Sequence, residues 1–484
     1  MHYKKRFLVS FIANFIKACL GAVTSFLVAR HLGPDETGRM FFLLFSFASF
    51  KGLFDLGTSS AFFTFLSKEN QSSRFINIFF CWVFIQFATV FVFVAFLIPE
   101  SYFSLIWVNE DRFTVLLAFL ASFMLNSVWT ITAQMAEAAR KTLQVQLIAV
   151  SFTSLHILII ILLIFFNKLG IHLILLAILF EWLLAGSLAF KLYKPDKSKS
   201  KQSLLSVLKM YKRFCLPLIP FLLIGVVYDF ADKWMLQYWS GSSEQAYFGL
   251  AMRVSSIALL ATTSLVKVFW KESALLAKEG KHNELFLFYK KSSSFLLLVS
   301  IFFVAIVHPF SEELVLITLG ASYLGGVETM AVLLFYPIHQ TLGQLLGSLM
   351  YALEKTVAYS IISSFFMLVS ILATYVLLAP KAFLFPGLNL GSLGLSLKVV
   401  FLNILSVNVL YFYLCKVLGW PFMIKNQLLP LILIPLFYLL KYFISIFTND
   451  TFLQIFIYFS FLSILIGFIA VIYKEKFLKL YNEL

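Results

Sequence analysis

A small set of charged side chains lies inside long apolar stretches of this sequence, where a charge needs a chemical reason. An ionised group within hydrocarbon is costly unless it is hydrated, paired or bound to a ligand. Basic side chains in such positions could hold an anionic ligand, and carboxylates could bind a cation or a proton. The nine candidates are Lys17, Lys51, Asp55, Glu181, Asp229, Asp232, Lys233, Arg253 and Lys267.

Two lysines of this set are the deepest. Lys17 and Lys51 each stand about ten residues from the ends of an apolar run, which corresponds to about 15 Å of helix. A lysine side chain does not comfortably reach water over that distance, so each is expected to be paired or functional inside the protein. Asp55 follows Lys51 by one helical turn on the same face. It either pairs with Lys51 or holds it ready for an anionic group, and both interpretations stay open.

A second group of charges spans two successive apolar runs. Asp232 lies near the end of one run and Arg253 near the start of the next, so a helical hairpin places them at comparable depth. They either tie the two helices together or serve a substrate or an ion. Lys233 is the basic neighbour of Asp232, and Lys267, close to Trp270, is expected to anchor its helix at a membrane interface.

Two carboxylates are candidates for ion binding. Glu181 is central in its apolar run and could bind a cation or take up a proton, whereas a buried neutral carboxyl group is the alternative. Asp229, one helical turn before Lys233, is the second candidate. No metal site is predicted, because the four cysteines (Cys19, Cys81, Cys215 and Cys415) lack zinc spacing. No disulfide and no cofactor are predicted either.

The composition defines the elements that must position these groups. Of the 484 residues, 61% are hydrophobic and only 13% are charged, and the mean hydropathy is +0.93. A soluble protein averages about 25% charged residues, so soluble domains, nucleic-acid modules and secreted disulfide scaffolds are excluded. The sequence predicts an all-α polytopic membrane protein. The net charge of +15 is typical of cytoplasmic loops next to anionic lipid, and no nucleic-acid partner is expected.

Apolar runs long enough to cross a membrane occur about fourteen times. They lie near 7–30, 38–66, 75–98, 113–136, 143–166, 170–192, 214–239, 246–270, 292–310, 329–353, 357–380, 393–418, 427–447 and 452–473. A basic stretch within 194–213 separates the first six from the last eight. We therefore expect a six-helix bundle over 1–193, a cytoplasmic linker over 194–213, a second six-helix bundle over 214–418, and two further helices with a tail over 419–484.

The basic residues give the orientation. With the N-terminus inside, 26 of the 38 Lys and Arg residues fall in inner segments, seven in outer segments, among them Lys398, and five inside helices. Because basic residues favour the cytoplasmic side, both termini are predicted to be cytoplasmic. Gly33 and Gly241, which follow the first and seventh helices, occupy the same place in the two bundles. Two repeated bundles around a midplane site are typical of transporters.

Several short motifs resemble the polysaccharide repeat-unit flippases of the multidrug/oligosaccharidyl-lipid/polysaccharide (MOP) exporter superfamily. The motifs are Ala29-Arg30-His31-Leu32-Gly33-Pro34 with Gly38, then Asp55-Leu56-Gly57, then Pro217 and Pro220 with Asp232-Lys233-Trp234-Met235-Leu236, and Gly320-Ala321-Ser322-Tyr323. Helix number and linker position extend the resemblance over the whole chain. Lys233 stands where the family often has arginine, and a lysine does not bind a phosphate group in the bidentate manner of arginine.

The resemblance implies a V-shaped pair of six-helix bundles with two additional helices. It implies that an undecaprenyl-diphosphate-linked oligosaccharide, for O-antigen, capsule or another polymer, is flipped from the cytoplasmic to the outer leaflet of the bacterial cytoplasmic (inner) membrane. Membrane lipids, polymerase and chain-length proteins, and Na⁺ or H⁺ as coupling ion are the implied partners. We expect Lys17, Lys51 and Arg253 to converge on a central cavity and hold the diphosphate, with Asp55 and Asp232 as their resting partners. Lys233 and Lys267 complete the expected substrate site.

Two other functions are open alternatives. A drug or cation antiporter of the same superfamily would emphasise acidic cavity groups, whereas the first two helices contribute lysines. An integral-membrane glycan polymerase or ligase would need a sizeable outer loop with reactive groups. The outer loops are predicted to be about twenty residues or shorter and carry no such acid–base group. The chain is therefore not expected to be an enzyme.

Cysteine labelling tests the predicted orientation. In a background without native cysteines, Ser243→Cys should react with a membrane-impermeant maleimide added to intact cells, because this position is predicted to be outside. Ser200→Cys, within the basic linker, should react only after the membrane is opened. The reverse labelling would overturn the orientation and the direction of transport.

Overall fold

The computed structural model describes residues 3–68, 71, 73–193, 204–383, 385–448 and 450–463. The part of the predicted linker at 194–203, the tail from 464 onwards and the side chain of Lys267 lie outside the described residues. Within the described ranges the chain is helical throughout and has no strand. The predicted all-α class is confirmed.

Twenty α-helices make up the described chain. In the first part they are α1 Tyr3–Asp55, α2 Thr58–Lys68, α3 Ser73–Val92, α4 Glu100–Ile106, α5 Arg112–Phe123, α6 Thr130–Ala138, α7 Thr142–Phe165, α8 Ile171–Phe190 and α9 Leu204–Cys215. The second part contains α10 Ile219–Ser240, α11 Ser242–Lys278, α12 His282–Val307, α13 Ser311–Thr318, α14 Val327–Leu333, α15 Tyr336–Ala352, α16 Thr356–Leu378, α17 Gly391–Leu418, α18 Lys425–Leu428, α19 Leu433–Phe447 and α20 Thr451–Ser463. Short π-helical segments at Phe93–Leu97 and Met124–Trp129 extend α3 and α5, and short 3-10 turns lie at Leu216–Leu218, His308–Phe310, Ala321–Gly326 and Leu429–Ile432.

The helices are those of a multi-pass membrane protein. By length and composition, ten described spans can cross a membrane, or eleven when the bent pair Ala321–Leu333 and Tyr336–Ala352 is one span. Helices suit this environment because they satisfy their own backbone hydrogen bonds. The sequence predicted about fourteen membrane-spanning segments. Fewer spans are counted in the structure because α1 contains the first two predicted segments as one span. In addition, α11 and the 13-residue helix α20 do not meet the length and composition required of a span.

Glycine turns set the connections between successive membrane helices. Gly33 interrupts α1 with φ 79° and ψ 172°, and Gly241 separates α10 from α11 with φ 91° and ψ 175°. Gly320, before the bent pair, has φ 96° and ψ 174°. This backbone region is accessible essentially to glycine alone. The same reversal therefore occurs at the two positions that the sequence paired, and once more in the second part of the chain.

Residues 3–193, here called the first half, and residues 216–463, the second half, meet along α1, α10 and α11. The closest approach lies beside the glycine turns, at a level called the glycine end. A Cβ atom added to Gly38 would lie 1.7 Å from the backbone oxygen of Ser242. Tyr323 donates a hydrogen bond to the backbone oxygen of Ala29 at 2.9 Å. The two halves are thus in direct backbone contact at this end.

Ion pairs hold each half together, and none of those seen between described residues joins the halves. In the first half, Arg39 binds Glu110 through two hydrogen bonds of 2.7 and 2.8 Å. In the second half, Lys441 on α19 binds Glu313 on α13 at 2.5 Å. Every other ion pair of the described residues also lies within a single half. The bonds that cross between the halves have a neutral acceptor, as when Arg30 donates to the backbone oxygen of Ile317.

Helix α9 occupies the last part of the predicted linker. Its residues Val207 and Tyr211 are buried against α2 and α3 of the first half, and the Tyr211 ring stacks on Phe75 with centroids 5.5 Å apart. Its Leu205 is 78% exposed, so the helix is amphipathic. Residues 204–213 are therefore a packed helix rather than a solvated linker, because the spacing of their apolar residues follows the helical period.

Gly38→Ala tests the backbone contact at the glycine end. The new methyl group cannot fit beside Ser242, so the closed contact should be lost and the apparent melting temperature in detergent should fall, as overpacking costs about 1–3 kcal/mol. Gly225→Ala is the matched control, because its added Cβ meets no atom within 4 Å and alanine favours a helix. Equal melting temperatures for the two variants would contradict the contact.

Candidate functional site

A cavity with a volume of about 950 Å³ lies between the two halves. Helices α1, α10, α11, α15, α16 and α17 surround it. Its charged lining residues are Lys17, Asp229, Asp232, Lys233 and Arg253. Its size is at the upper end of ordinary ligand pockets. Five of the nine charged residues selected from the sequence therefore meet at one place.

Arg253 is the exposed cation of this cavity. The guanidinium group on α11 donates to the hydroxyl group of Ser25 on α1 and lies 5.2 Å from the centroid of the Phe41 ring. Among the described residues it forms no ion pair. An ion pair between Arg253 and Asp232, one of the two interpretations left open by the sequence, is not formed, because Asp232 binds Lys398. A guanidinium group with one neutral partner keeps most of its donors free for an anion.

Lys17 extends from α1 into the cavity, and a side chain of a neighbouring helix binds its ammonium group. Its ammonium group donates to Gln146 on α7 at 3.0 Å, and the amide of Gln146 lies 3.4 Å from the carboxylate of Glu137. Lys17 itself forms no ion pair with a described carboxylate. The sequence pointed to Lys17 but missed Gln146 and Glu137, since these lie on other helices and only packing brings them together.

A buried ion pair occupies the wall of the cavity. Lys398 binds the Asp232 carboxylate at 2.5 Å, with side-chain exposures of 1% and 6%, and Thr374 donates to the same carboxylate at 2.6 Å. The Lys398 ammonium group also lies 5.1 Å from the centroid of the Tyr228 ring. The assignment of Lys398 to an outer segment was wrong, because it lies buried about two turns inside α17. Its position within the predicted segment 393–418 was the signal that could have found it.

The charged side chains around the cavity sum to a net positive charge. Lys233 lies 3.7 Å from Asp229, one turn away on α10. With Asp232 matched by Lys398 and Asp229 by Lys233, the two cations left without a carboxylate partner are Lys17 and Arg253. The rest of the wall is uncharged and mostly apolar, and its polar side chains include those of Tyr228, Tyr336, Gln340, Gln344, Ser363, Asn403 and Ser406. The cavity can therefore bind an anion next to a polar, hydrogen-bonding group.

Lys51 does not join this site. It lines a separate cavity of about 30 Å³ inside the first half, where its ammonium group donates to the backbone oxygen of Asn126. Asn126 belongs to the π-helical segment Met124–Trp129, and such a segment leaves backbone carbonyls available. The expected convergence of Lys51 with Lys17 and Arg253 is therefore not observed. The position of Lys51 within an apolar run does not determine the direction of its side chain.

Asp55 also has a local role in this structure. It ends α1, and one of its carboxylate oxygens accepts hydrogen bonds from Ser59 and Thr58 at the start of α2. Carboxylates commonly cap helices in this way. It is thus bonded to α2 rather than to Lys51. Lys267 lies on α11, and its side chain is outside the described part of the protein.

Glu181 lies away from the cavity, in the first half. It is 3% exposed, and one carboxylate oxygen lies 2.8 Å from His156 Nδ1 on α7. Among the described residues, no group of three His, Cys, Asp or Glu side chains could hold a metal ion. Of the two candidates for ion coupling, Asp229 therefore belongs to the cavity and Glu181 to a separate buried pair.

Membrane helices in two halves around a central cavity define the class of this fold, that of a polytopic membrane protein with a candidate site between its halves. No protein-family model matches the chain, and no curated protein matches its sequence. Solved structures match its fold. An inward-facing multidrug resistance MATE family transporter of the MOP superfamily aligns with a TM-score of 0.61 at 15% identity, covering 83% of this chain and 94% of that chain. A MOP superfamily transporter from Pyrococcus furiosus, described by the reverse polarity of its binding pocket, has a TM-score of 0.59 at 12% identity over 86% and 96% of the two chains.

A particular flippase structure matches over nearly the whole chain. It is that of the lipid II flippase MurJ in an inward closed conformation, with a TM-score of 0.71 and 17% identity, covering 97% of this chain and 99% of that chain. The chain therefore has the fold of the MOP superfamily. The structures that it resembles here are transporters and flippases rather than enzymes. The polysaccharide subfamily and the substrate stay predictions.

The buried pair in the cavity wall can be tested by stability. Lys398→Met leaves the Asp232 carboxylate buried without its cation, so the free energy of unfolding in mixed micelles should fall by about 3–5 kcal/mol. The double variant Asp232→Asn with Lys398→Met should recover most of this loss, because no uncompensated charge is left. Lys441→Met, from a half-buried pair, should cost less. Equal losses for the single and double variants would contradict the buried pair.

Proposed function

We propose that this protein flips a lipid-linked oligosaccharide across the membrane by alternating access, with the diphosphate held by Lys17 and Arg253. One observation carries the proposal. These two cations line a cavity of about 950 Å³ between the halves, and neither forms an ion pair with a described carboxylate. A cation without a counter-ion inside the membrane is costly unless water or a ligand anion meets it.

The arrangement of the two cations suits a cargo that must leave again. Lys17 belongs to the first half and Arg253 to the second, so an anion between them contacts both moving bodies. Arginine offers a planar set of donors for a phosphate group, whereas lysine acts as a point charge. Two dispersed cations attract a diphosphate without enclosing it. Lys51 and Asp55 have no part in this revised site.

The uncharged wall of the cavity supports a glycan as the rest of the cargo. Sugars are recognised by hydrogen bonds to hydroxyl groups and by contact with aromatic faces. The side chains of Gln340, Gln344 and Asn403 can form such bonds, and the rings of Tyr228 and Tyr336 provide such faces. The amide oxygen of Gln344 is buried without a partner among the described atoms, so rotation of this side chain toward a cargo hydroxyl group would give it one.

The charge of the cavity favours a flippase over an antiporter for organic cations. Both carboxylates that line it are matched by lysines, so a cationic drug would meet net positive charge. A polyprenyl diphosphate meets a complementary charge. We infer undecaprenyl diphosphate as the carrier, outward flipping in the bacterial cytoplasmic membrane, and cytoplasmic termini, with glycan polymerase and chain-length proteins as downstream partners.

Flipping in proteoliposomes tests the proposal. The probe is undecaprenyl-diphosphate N-acetylglucosamine, and its transfer between leaflets is followed with a membrane-impermeant lectin. Arg253→Ala and Lys17→Ala should each slow flipping about tenfold or more, since a hydrogen bond to a charged group contributes about 1.5–3 kcal/mol. Lys17→Arg should retain more activity than Lys17→Ala, because it keeps the charge.

The exposed Lys168→Ala, in a loop, is the basic control and should flip at the wild-type rate. A loss from Lys51→Met as large as that from Arg253→Ala would contradict the revised site. Wild-type protein that leaves the lipid probe in place but transports ethidium would overturn the proposed function in favour of the antiporter.

A further inference from the structure

Four aromatic rings from four helices form a cluster beside the cavity, at a distance from the two cations. They belong to Phe221 on α10, Trp270 on α11, Tyr351 on α15 and Tyr359 on α16. The ring centroids of Trp270 and Tyr351 are 5.5 Å apart, and those of Tyr351 and Tyr359 are 5.2 Å apart. The Phe221 centroid lies 6.5 Å from that of Tyr359. Because each ring contacts at least one other, the four are here called the aromatic cluster.

The aromatic cluster continues the wall of the cavity. Tyr359 itself lines the cavity. Tyr351 follows the cavity residue Gln344 by seven residues on α15, and Phe221 precedes the cavity residue Tyr228 by seven residues on α10. Seven residues are close to two helical turns, so these two rings lie on the same helix faces as the cavity residues. The remaining ring, the indole, contacts Tyr351.

The cluster lies at the end of the cavity that is opposite the glycine end. Phe221 is in the first turn of α10, a helix whose last residue is followed by the glycine turn at Gly241. Tyr351 is the penultimate residue of α15. The two halves are in direct backbone contact at the glycine end. A cargo group too long for the cavity therefore extends toward the aromatic cluster.

We propose that the aromatic cluster is a second subsite of the cavity and binds a neutral sugar of the cargo that is remote from the diphosphate. This inference rests on the proposed function and identifies which part of the glycan the protein recognises. Trp270 follows Arg253 by 17 residues on the continuous helix α11, which corresponds to about 25 Å. The first sugar on a diphosphate held at Arg253 does not extend that far, whereas a chain of several sugars does.

The exposed rings of the cluster have the surface that a sugar needs. Trp270 is 45% exposed and Tyr351 is 42% exposed. Each has a flat apolar face with a polar group at its edge. A pyranose ring likewise has a face of C–H groups and a rim of hydroxyl groups, so the two apolar faces can pack together. Gln340 and Gln344, on the same side of α15 as Tyr351, can bond the hydroxyl groups of the adjoining sugar.

The charged residues next to the cluster favour a neutral sugar over a charged one. Lys271 and Glu272 directly follow the indole of the cluster in the sequence, and Glu354 and Lys355 lie between its two tyrosines. Each of these places therefore has both signs of charge. A charged sugar would meet repulsion as well as attraction there, whereas a neutral sugar depends only on ring contact and hydrogen bonds.

Tryptophan and tyrosine also gather at membrane interfaces, where their rings face lipid headgroups. Such rings face outward from the helix bundle. In the aromatic cluster Tyr359 instead lines the cavity, and Tyr351 lies on the cavity side of its helix and contacts Tyr359. This arrangement favours a binding surface for cargo over an interfacial belt.

Binding of two lipid probes to the full-length protein in nanodiscs tests the subsite. The probes are undecaprenyl diphosphate with one N-acetylglucosamine and with a linear N-acetylglucosamine tetrasaccharide, and their dissociation constants are measured by native mass spectrometry. Trp270→Ala and Tyr351→Ala should each weaken binding of the tetrasaccharide probe about fivefold to tenfold, because one aromatic contact is lost. Binding of the single-sugar probe should stay unchanged. Tyr351→Phe keeps the ring and should bind both probes as the wild type does.

Trp82→Ala is the matched control. This indole on α3 is 38% exposed and is not part of the cavity wall, so its loss should leave the binding of both probes unchanged. Equal weakening of the two probes by Trp270→Ala would overturn the subsite, because a remote sugar would then make no separate contact. Unchanged binding of the tetrasaccharide probe to Trp270→Ala and Tyr351→Ala would overturn it as well.

The free tetrasaccharide separates this subsite from the proposed function. Saturation-transfer difference spectra with wild-type protein should show contact of its C–H groups, and Trp270→Ala should remove most of this signal while Trp82→Ala keeps it. This contact requires neither the diphosphate nor transport. Wild-type protein that binds neither lipid probe contradicts the proposed function, and the free-sugar spectra then decide the subsite alone. A wild-type spectrum without contact, or a signal that persists in Trp270→Ala, contradicts the subsite.

Discussion

A charge inside the membrane must be matched, and this constraint organises the structure. Where a buried cation and a carboxylate meet, as in Lys398 and Asp232, the pair belongs to the scaffold. Desolvation makes such a pair of little net benefit, but loss of either partner is costly. It is therefore informative that Lys17 and Arg253 form no ion pair with a described carboxylate. Both face the cavity, where water or an anion can supply what the protein does not.

The need to match buried charges is met by different residue pairs in the two halves. The first half carries the buried His156–Glu181 pair, and the second half carries the buried Lys398–Asp232 pair. Between them lies the cavity, whose lining cations Lys17 and Arg253 form no ion pair with a described carboxylate. Helix α7 contacts both Glu181 and Lys17 through its own side chains, so one helix links the buried pair of the first half to the cavity.

The class of fold could be predicted because it depends on composition and local backbone rules. Long apolar runs predict membrane helices, and Gly33 and Gly241 were paired because the same break recurs after two equivalent helices. The candidate site was predicted only in part. Depth in an apolar run identified Lys17 and Arg253, but depth does not give the direction of a side chain, so Lys51 was placed in the wrong cavity. The partner of Asp232 lies 166 residues away, and sequence spacing carries no information about it.

The confinement of ion pairs to single halves has a thermodynamic consequence. Mobile salt ions screen the attraction between opposite charges and leave neutral hydrogen bonds and apolar contacts almost unchanged. The contacts between the halves, such as Arg253 with Ser25 and Tyr323 with Ala29, have at most one charged partner. In the transport cycle proposed above, ionic strength would therefore change the equilibrium between joined and separated halves only slightly. A cell that adjusts its internal salt to osmotic stress would then leave the balance between the two arrangements in place.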